Sequence, residues 1–517
     1  MKLRMVVILL TVVIFNADGL WARENLSHFT PRSMTNHTFV KYLASSESDS
    51  IPPDSTDMRS ITSVELSKEM IPGWNVGNSL EAINGYTKLP DETAWGNPLI
   101  SQQLMDSIKA AGFNAVRIPV AWSRFAVDST FTIEQAWLER VEEVLWYILV
   151  NDMYAIINEH WDNGWVQPTY SDSAYVKKRL AAMWKQIAIY FRDYDDHLLF
   201  AGTNEVHVEN NWGAPTKENY TVQNMYNQVF VNTVRATGGR NYYRHLVVQG
   251  YVTNIDHTMN YFVIPKDVVP NRLVVEVHYY DPYNFTLNET STITQWGMYA
   301  TNSSKTETWA NESYADNQFN RMKTKFIDKG YAVILGEYGA ISRLNLGSEA
   351  LNAEHAWYRR YYTNYITYSL VRHGLVPFYW DNGYSGDHGF AIFNRSDGSV
   401  LDPDILSAII AGADTTILGI NPQDNITKPA GFTLNQNYPN PFNPVTIISY
   451  SMKEKNSLSL IVYDLQGREV AVLERETVKN AGHYQVIFNA GGLPSGVYFC
   501  KLITAGHSQT RKMLLLK

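Results

Sequence analysis

The sequence predicts an α/β fold, a (β/α)8 TIM barrel, followed by a small all-β sandwich of Ig-like type. Three observations carry that expectation. Short β-rich runs alternate with amphipathic helical runs from Glu65 to about Ala413. Many of the β-rich runs are apolar on both faces. After Phe432 the texture changes to short alternating strands separated by turn residues. Alternation of strand and helix implies a parallel sheet with helical crossovers. Continuous apolar strands imply a sheet covered on both faces, and eight such units fit a closed barrel with long loops. A doubly wound open sheet is the structural alternative. Such sheets use a glycine-rich phosphate loop after the first strand, and here that place holds Gly77-Asn78-Ser79-Leu80.

The elements follow in order. Gly73-Trp74-Asn75-Val76 is the first strand, and a helix over Leu99–Ala111 ends at Gly112. Ala115-Val116-Arg117-Ile118-Pro119 is the second strand, and the helix Ile133–Asn151 leads to Tyr154-Ala155-Ile156-Ile157-Asn158. The helix Ser173–Tyr194 leads to Leu198-Leu199-Phe200-Ala201-Gly202, and Val222–Thr237 to Leu246-Val247-Val248-Gln249. Leu273-Val274-Val275-Glu276-Val277 is the sixth strand, trailed by a long loop from Asp281 to Asn317. The helix Phe319–Lys329 precedes Ala332-Val333-Ile334-Leu335, and Ala353–His373 precedes Leu375-Val376-Pro377-Phe378-Tyr379. A last helix covers Pro403–Ala411. In the C-terminal region the expected strands are Ile447–Ser451, Leu458–Tyr463, His483–Phe488, Gly496–Leu502 and Thr510–Leu516, the pattern of a β-sandwich.

The ends of the chain read differently. Lys2 and Arg4 precede a short apolar run, Met5 to Phe15, and small residues Ala17 and Gly19 offer a cleavage site. That is the pattern of a signal peptide over 1–19, and the run is too short for a permanent membrane span. Residues 20–62 are polar and without pattern, and are expected to be a disordered linker. The catalytic barrel is expected over 63–413, a second linker over 414–431, and the sandwich over 432–517.

Composition excludes several classes. The 517 residues are 45% hydrophobic and 18% charged, with a formal net charge of -8. A mildly acidic chain has no electrostatic reason to bind nucleic acid or anionic membrane. Cys500 is the single cysteine, so an intramolecular disulfide is impossible. Thirty-three Tyr and 14 Trp suit either a large core or the stacking of sugar rings, and composition does not choose between them.

In a barrel, chemistry belongs at the C-terminal ends of the strands. Arg117 stands at that end of the second strand, His160 and Trp161 after the third, and Asn204 and Glu205 after the fourth. His278 and Tyr280 follow the sixth, Glu337 the seventh, and Trp380 and Asn382 the eighth. One such residue is more often a satisfied structural group than a catalyst, but this recurrence is not explained by packing. Two carboxylates suffice to hydrolyse a glycosidic bond, one protonating the leaving oxygen and the other attacking the anomeric carbon or activating water. Glu205 and Glu337 are the candidates. Arg117 is expected to keep Glu337 ionised, Tyr280 to orient it, Asn204 to hold the sugar 2-hydroxyl, and Trp380 to form a stacking floor. Trp74, Trp122 and Trp161 are each as consistent with core as with sugar contact. Glu159 and Glu276, close to the histidines, are expected to point the other way. No close metal-ligand spacing such as His-Glu-x-x-His occurs.

From Met70 to Ala411 the sequence resembles glycoside hydrolase family 5, in its endoglucanase branch. The motifs are Gly73-Trp74-Asn75-Val76-Gly77-Asn78-Ser79-Leu80-Glu81-Ala82, Arg117-Ile118-Pro119-Val120, Ile157-Asn158-Glu159-His160 and Thr203-Asn204-Glu205. Val277-His278-Tyr279-Tyr280-Asp281-Pro282-Tyr283, Leu335-Gly336-Glu337-Tyr338-Gly339 and Tyr379-Trp380-Asp381-Asn382-Gly383 complete them. The resemblance implies Glu337 as nucleophile and Glu205 as acid/base. It implies catalytic support from Arg117, His160, Asn204, His278 and Tyr280 and a functional role for Trp380; Asn75, Trp161, Trp380 and Asn382 are the residues expected to meet substrate. It implies no metal and no organic cofactor. Trp161 replaces a second His common in the family, and Val206 replaces a Pro after the acid/base. Leu434-Asn435-Gln436-Asn437-Tyr438-Pro439-Asn440-Pro441-Phe442-Asn443-Pro444, Val462-Tyr463-Asp464 and Ser495-Gly496-Val497-Tyr498-Phe499 resemble a type A sorting domain of the type IX secretion system. The expectation is therefore a secreted or surface-held monomer, exported through the periplasm, that cuts β-1,4-glucan (cellulose, mixed-linkage glucan or xyloglucan) with retention. A β-mannanase or xylanase would use the same residues. A non-catalytic glycan-binding surface protein is the rival from another class, and the presence of both glutamates speaks against it.

Overall fold

The computed structural model describes residues 50–517, apart from 124–129, 415–431, 435, 438–439, 453, 480–481 and 517. The expected signal peptide, most of the expected N-terminal linker, all of the second linker but Asp414, and Asn435, Tyr438 and Pro439 of the sorting motif lie outside the described residues. Eight parallel strands close into a barrel. They are β1 (Gly73–Val76), β2 (Ala115–Ile118), β3 (Tyr154–Asn158), β4 (Leu198–Ala201), β5 (Leu246–Asn254), β6 (Leu273–Tyr279), β7 (Ala332–Tyr338) and β8 (Val376–Asp381). Closure is made by β8 on β1, with Phe378 opposite Gly73 and Trp380 opposite Asn75. Every residue of β1, β2, β3 and β4 is buried, as strands covered by helices on one face and barrel core on the other must be.

The helices longer than one turn are α1 (Ser63–Glu69), α2 (Gln102–Ala110), α3 (Gln135–Leu149), α4 (Tyr170–Tyr190), α5 (Lys217–Ala236), α6 (Ile255–Tyr261), α7 (Glu312–Lys325), α8 (Glu349–Arg372) and α9 (Pro403–Ala413). Local chemistry starts them. Thr62 and Glu65 form a capping box on α1, and Ser348 caps α8 through the Leu351 amide, satisfying amides that have no partner inside the helix. Helix α7 begins two turns before the expected Phe319, because Asn311 supplies a cap that the apolar periodicity does not reveal.

The expected linker over 20–62 is corrected at its end. Residues 50–62 are built into the fold. Ile51–Pro53 pairs with Gly238–Gly239, Met58 is buried, and Arg59 bonds Asp196, Glu69 and the Tyr154 hydroxyl. A polar, pattern-free segment can be fixed by such pairings without showing a hydrophobic period. Helix α1 then seals the N-terminal end of the barrel. Leu66 and Met70 pack with Ala115, Ile156, Leu199, Val247, Val274, Ile334 and Phe378. The loop after β6 folds back on α8, burying Trp296 against Tyr361, Tyr362 and Tyr365.

The C-terminal region has two antiparallel sheets. One joins β9 (Thr433–Leu434), β10 (Val445–Met452) and β13 (Gly482–Asn489). The other is ordered β12 (Glu469–Lys479), β11 (Asn456–Tyr463), β14 (Gly496–Thr504), β15 (Ser508–Leu515). Their shared core includes Leu460, Val462, Tyr498, Cys500, Leu502 and Met513. Strand β12 was not expected from the sequence. It is an edge strand rich in Glu, Arg and Lys, the composition that blunts an exposed edge.

Candidate active site

The C-terminal ends of β1, β2, β4, β6 and β7 bring one polar cluster together. Arg117 on β2 is fully buried and forms its hub. Its Nε lies 2.8 Å from Glu276 Oε1. Its Nη1 donates to Asn75 Oδ1 at 3.0 Å and to Glu337 Oε1 at 3.1 Å, and its Nη2 donates to Asn204 Oδ1 at 2.6 Å. Tyr280 donates its hydroxyl to the other oxygen of Glu337 at 3.2 Å. His278 Nδ1 lies 2.6 Å from Glu205 Oε1 and 3.6 Å from Glu337 Oε2. Glu205, His278 and Glu337 approach one another within 4.8 Å through their nitrogen and carboxylate oxygen atoms. A register shift between Val277 and His278 sets His278 opposite Glu337, the kind of irregularity that re-aims a side chain beside a site.

The electrostatics follow from burial against pairing. Burial opposes a charge on His278, but Glu337, Glu205 and Glu276 outweigh it and raise the imidazole to about 9. Burial would raise Glu276, but Arg117 and His278 bring it down to about 2. For Glu337 burial dominates. Its carboxyl is pushed up in spite of His278 and Arg117. Arg117 does act on Glu337 in the expected direction, but desolvation and the neighbouring carboxylates exceed it. Burial and the charge of Glu337 push the Tyr280 hydroxyl well above its ordinary value, so it remains a donor. The three groups that could share a cation, Glu205, His278 and Glu337, already bond one another or Arg117. A metal would have to break those pairs and sit beside a guanidinium.

The other expected residues divide. His160 is half-buried, with Nδ1 3.1 Å from Asn158 Nδ2 and Nε2 3.5 Å from Asn204 Nδ2. Burial and Arg117 lower it well below the usual imidazole range, so it stays neutral. Its ring is parallel to that of half-buried Trp380, with centroids 6.0 Å apart. Gly77 makes room for that indole, since a Cβ there would meet the Trp380 ring at 2.8 Å. Trp161 is 48% exposed, whereas Trp74 and Trp122 are core. Asn382 spends its side-chain oxygen on the amides of Tyr384 and Phe390, shaping its own loop. Asn75 is a correction. It has no accessible surface, and its amide nitrogen donates to the carbonyls of Gly336, Phe378 and Tyr379. It braces Arg117 and cannot meet a sugar. Glu276 is a second correction. It stands two residues before His278, so a strand puts both on one face, inside the barrel. Glu159, directly before His160, does point away, to the neighbourhood of Asp162 and Arg179.

Several contributors were not singled out in the sequence. Gln249 on β5 donates to Glu276 Oε2 at 2.6 Å and accepts from the Thr203 amide and hydroxyl. Val252 and Thr253 have φ values of 56° and 48°. That region is strained for β-branched residues, and it holds the Thr253 hydroxyl 3.5 Å from Glu205 Oε1. His207 bonds the Glu205 carbonyl and stacks on exposed Trp212 at 3.8 Å.

Residues 77–386 match the family model described as cellulase (glycosyl hydrolase family 5). The chain belongs to glycosyl hydrolase family 5. A xyloglucan-specific endo-β-1,4-glucanase of Bacteroides ovatus is 45% identical over 370 residues, spanning 70% of this chain and 72% of the relative. Endoglucanase A of Paenibacillus barcinonensis is 40% identical over 374 residues, 69% of this chain and 91% of the relative. Among solved structures, a Bacteroides ovatus family 5 xyloglucanase with a XXXG heptasaccharide superposes with a TM-score of 0.67 at 44% identity, covering 71% of this chain and 80% of that one. This family 5 chain is thus a glycoside hydrolase built on a TIM barrel. Residues 436–516 match the secretion system C-terminal sorting domain, which indicates export from the cell or to its surface. Among the described residues no helix is long and apolar enough to cross a membrane.

Proposed function

We propose that the enzyme is a retaining endo-β-1,4-glucanase with Glu337 as nucleophile and Glu205 as acid/base, acting on β-1,4-glucan chains and on branched xyloglucan in particular. One observation carries the mechanism: carboxylate oxygens of Glu205 and Glu337 lie within 4.8 Å. Retaining pairs sit about 5–5.5 Å apart, while inverting pairs leave about 6.5–9.5 Å for a water. In the first step a Glu337 oxygen attacks the anomeric carbon. The bond to the leaving oxygen breaks, and that oxygen takes the proton of Glu205. In the second step Glu205 removes a proton from water, the water oxygen attacks the same carbon, and Glu337 leaves as carboxylate. Arg117 and Tyr280 each hold one oxygen of Glu337, His278 bridges the two carboxylates, and the Asn204 amide nitrogen serves the 2-hydroxyl. Trp161 and Trp380 supply apolar faces for pyranose rings.

The xyloglucan reading rests on relatives that bear that name. The β-mannanase and xylanase readings remain outcomes of the test. We further infer that 1–19 is an export signal to the periplasm, that 414–431 joins the barrel to the sorting domain, and that the enzyme works as a monomer. Initial rates on xyloglucan, mixed-linkage glucan, amorphous cellulose, mannan and xylan test the substrate. The expected ranking puts xyloglucan first and leaves mannan and xylan near background. Mannan or xylan activity without glucan activity would overturn it. The anomer formed first, read by proton NMR, tests retention.

A further inference from the structure

We propose that Glu276 is a positioning residue of the active site: its buried carboxylate holds Arg117 and His278 in place and charged, and through them sets Glu337 and Glu205. The proposal rests on the roles just given to those two glutamates. Glu276 touches neither of them through a hydrogen bond, and it has no accessible surface. Its two charged partners, Arg117 and His278, both touch those glutamates. Oε1 faces Arg117 Nε at 2.8 Å and His278 Nε2 at 3.3 Å. Oε2 accepts from Gln249, which in turn takes both donors of Thr203, two residues before Glu205. A single carboxylate thus ties β2, β5 and β6 together and reaches the segment that follows β4 through Gln249 and Thr203.

The surroundings leave space for this group. A Cβ on Gly336 would lie 2.0 Å from Glu276 Oε1, so the residue before Glu337 has to lack a side chain while Glu276 keeps this position. The charges also require it. Arg117, His278 and Glu337 are buried together, with half-buried Glu205 and Tyr280 beside them. With Glu276 ionised, both ring nitrogens of His278 face carboxylate oxygens, a geometry suited to an imidazolium donating twice. A buried charge is stable only when paired and hydrogen-bonded. Without Glu276, the Nε2 side of His278 loses its acceptor and the Nε side of Arg117 loses its ion-pair partner. Its negative charge also raises its neighbours, His278 and Glu337 alike.

The test is Glu276→Gln in the full chain, compared with wild type and Glu337→Gln on xyloglucan across pH. The glutamine keeps the shape and removes the charge. kcat is expected to fall about 10-fold or more with KM within about 2-fold, since the lost interaction acts on the transition state. Removing one negative charge makes every neighbouring proton easier to lose, so both limbs of the kcat/KM profile shift to lower pH together. Glu276→Asp, which restores the charge, is expected to recover the limbs though not the full rate. A fall in kcat with unmoved limbs, or no fall at all, would overturn the proposal. A wild-type-like Glu337→Gln would instead sink the assignment of the nucleophile. If the glutamine variant does not fold, a nitrogen-15 NMR titration of His278 in the wild-type enzyme decides. Protonation persisting above pH 7.5 supports the proposal, and an imidazole titrating at or below 6.5 contradicts it.

Discussion

The two ends of the barrel are made by the same strands and have opposite chemistry. Ala115 on β2 packs in the apolar floor, and two residues later Arg117 is the hub of the polar cluster. Val274 on β6 lies in the floor, and Glu276 and His278 follow on the same face. Ile334 on β7 is floor and Glu337 is site, and their odd spacing is absorbed by the register irregularity at Gly336, where Val277 faces Leu335 but His278 faces Glu337. On β2 and β6 the change takes one pleat, because period-two alternation sends successive inward residues up the barrel; on β7 the irregularity supplies it. The floor is closed by α1 and is lined by apolar side chains. The upper end holds carboxylates, a guanidinium and an imidazole that satisfy one another. One end is built to be stable, and the other to place charge where a bond breaks.

Substitutions at the two ends should therefore separate activity from stability. The largest effect belongs to Glu337→Gln, which is expected to lower kcat by about 10³-fold or more while the melting temperature stays within a few degrees. Thermal melts beside initial rates on xyloglucan check it, and a variant that loses stability along with activity would blur the division. At the floor the reverse holds. Leu66→Ala empties a fully buried site and is expected to cost about 2–5 kcal/mol in denaturant unfolding, with kcat of the folded enzyme unchanged.

The pH dependence sharpens the contrast. His278 is raised to about 9 in the folded chain against an ordinary 6.5. Its pairing therefore stabilises fully below about 6.5 and is lost as pH rises through about 9. Glu276 is depressed to about 2 from 4.5, so its contribution is present above about 4.5 and lost as pH falls towards 2. Urea midpoints of wild type and His278→Ala should converge between pH 6.5 and 9, whereas Leu66→Ala should run parallel to wild type there. The smallest effect concerns the sandwich. Every candidate site residue lies between Asn75 and Asn382, so a chain ending before Phe432 should hydrolyse soluble glucan with unchanged kcat while losing export.

Much of this was legible in the sequence. Apolar strands alternating with helices gave the barrel, and residues at strand ends gave Arg117, Asn204, Glu205, His278, Tyr280 and Glu337. What failed has physical causes. Glu276 was misread because nearness to a histidine suggested the opposite face, although a spacing of two means the same one. Asn75 sits in a motif near the site, but its amide is spent on barrel carbonyls. Residues 50–62 lack a hydrophobic period, and their order comes from a short strand pairing and Arg59. Strand β12 hides behind its charges. The strained backbone at Thr253 has no sequence signature, since a β-branched residue there reads as ordinary strand.

The central claim is the division of labour between Glu337 and Glu205, and azide rescue of the two alanine variants on an activated aryl β-cellobioside tests it most directly. In Glu337→Ala, azide should take the nucleophile's place and give the α-glycosyl azide in one displacement. In Glu205→Ala, it should attack the glycosyl-enzyme and give the β-glycosyl azide. The opposite pairing of variant and anomer would contradict the assignment of the two glutamates.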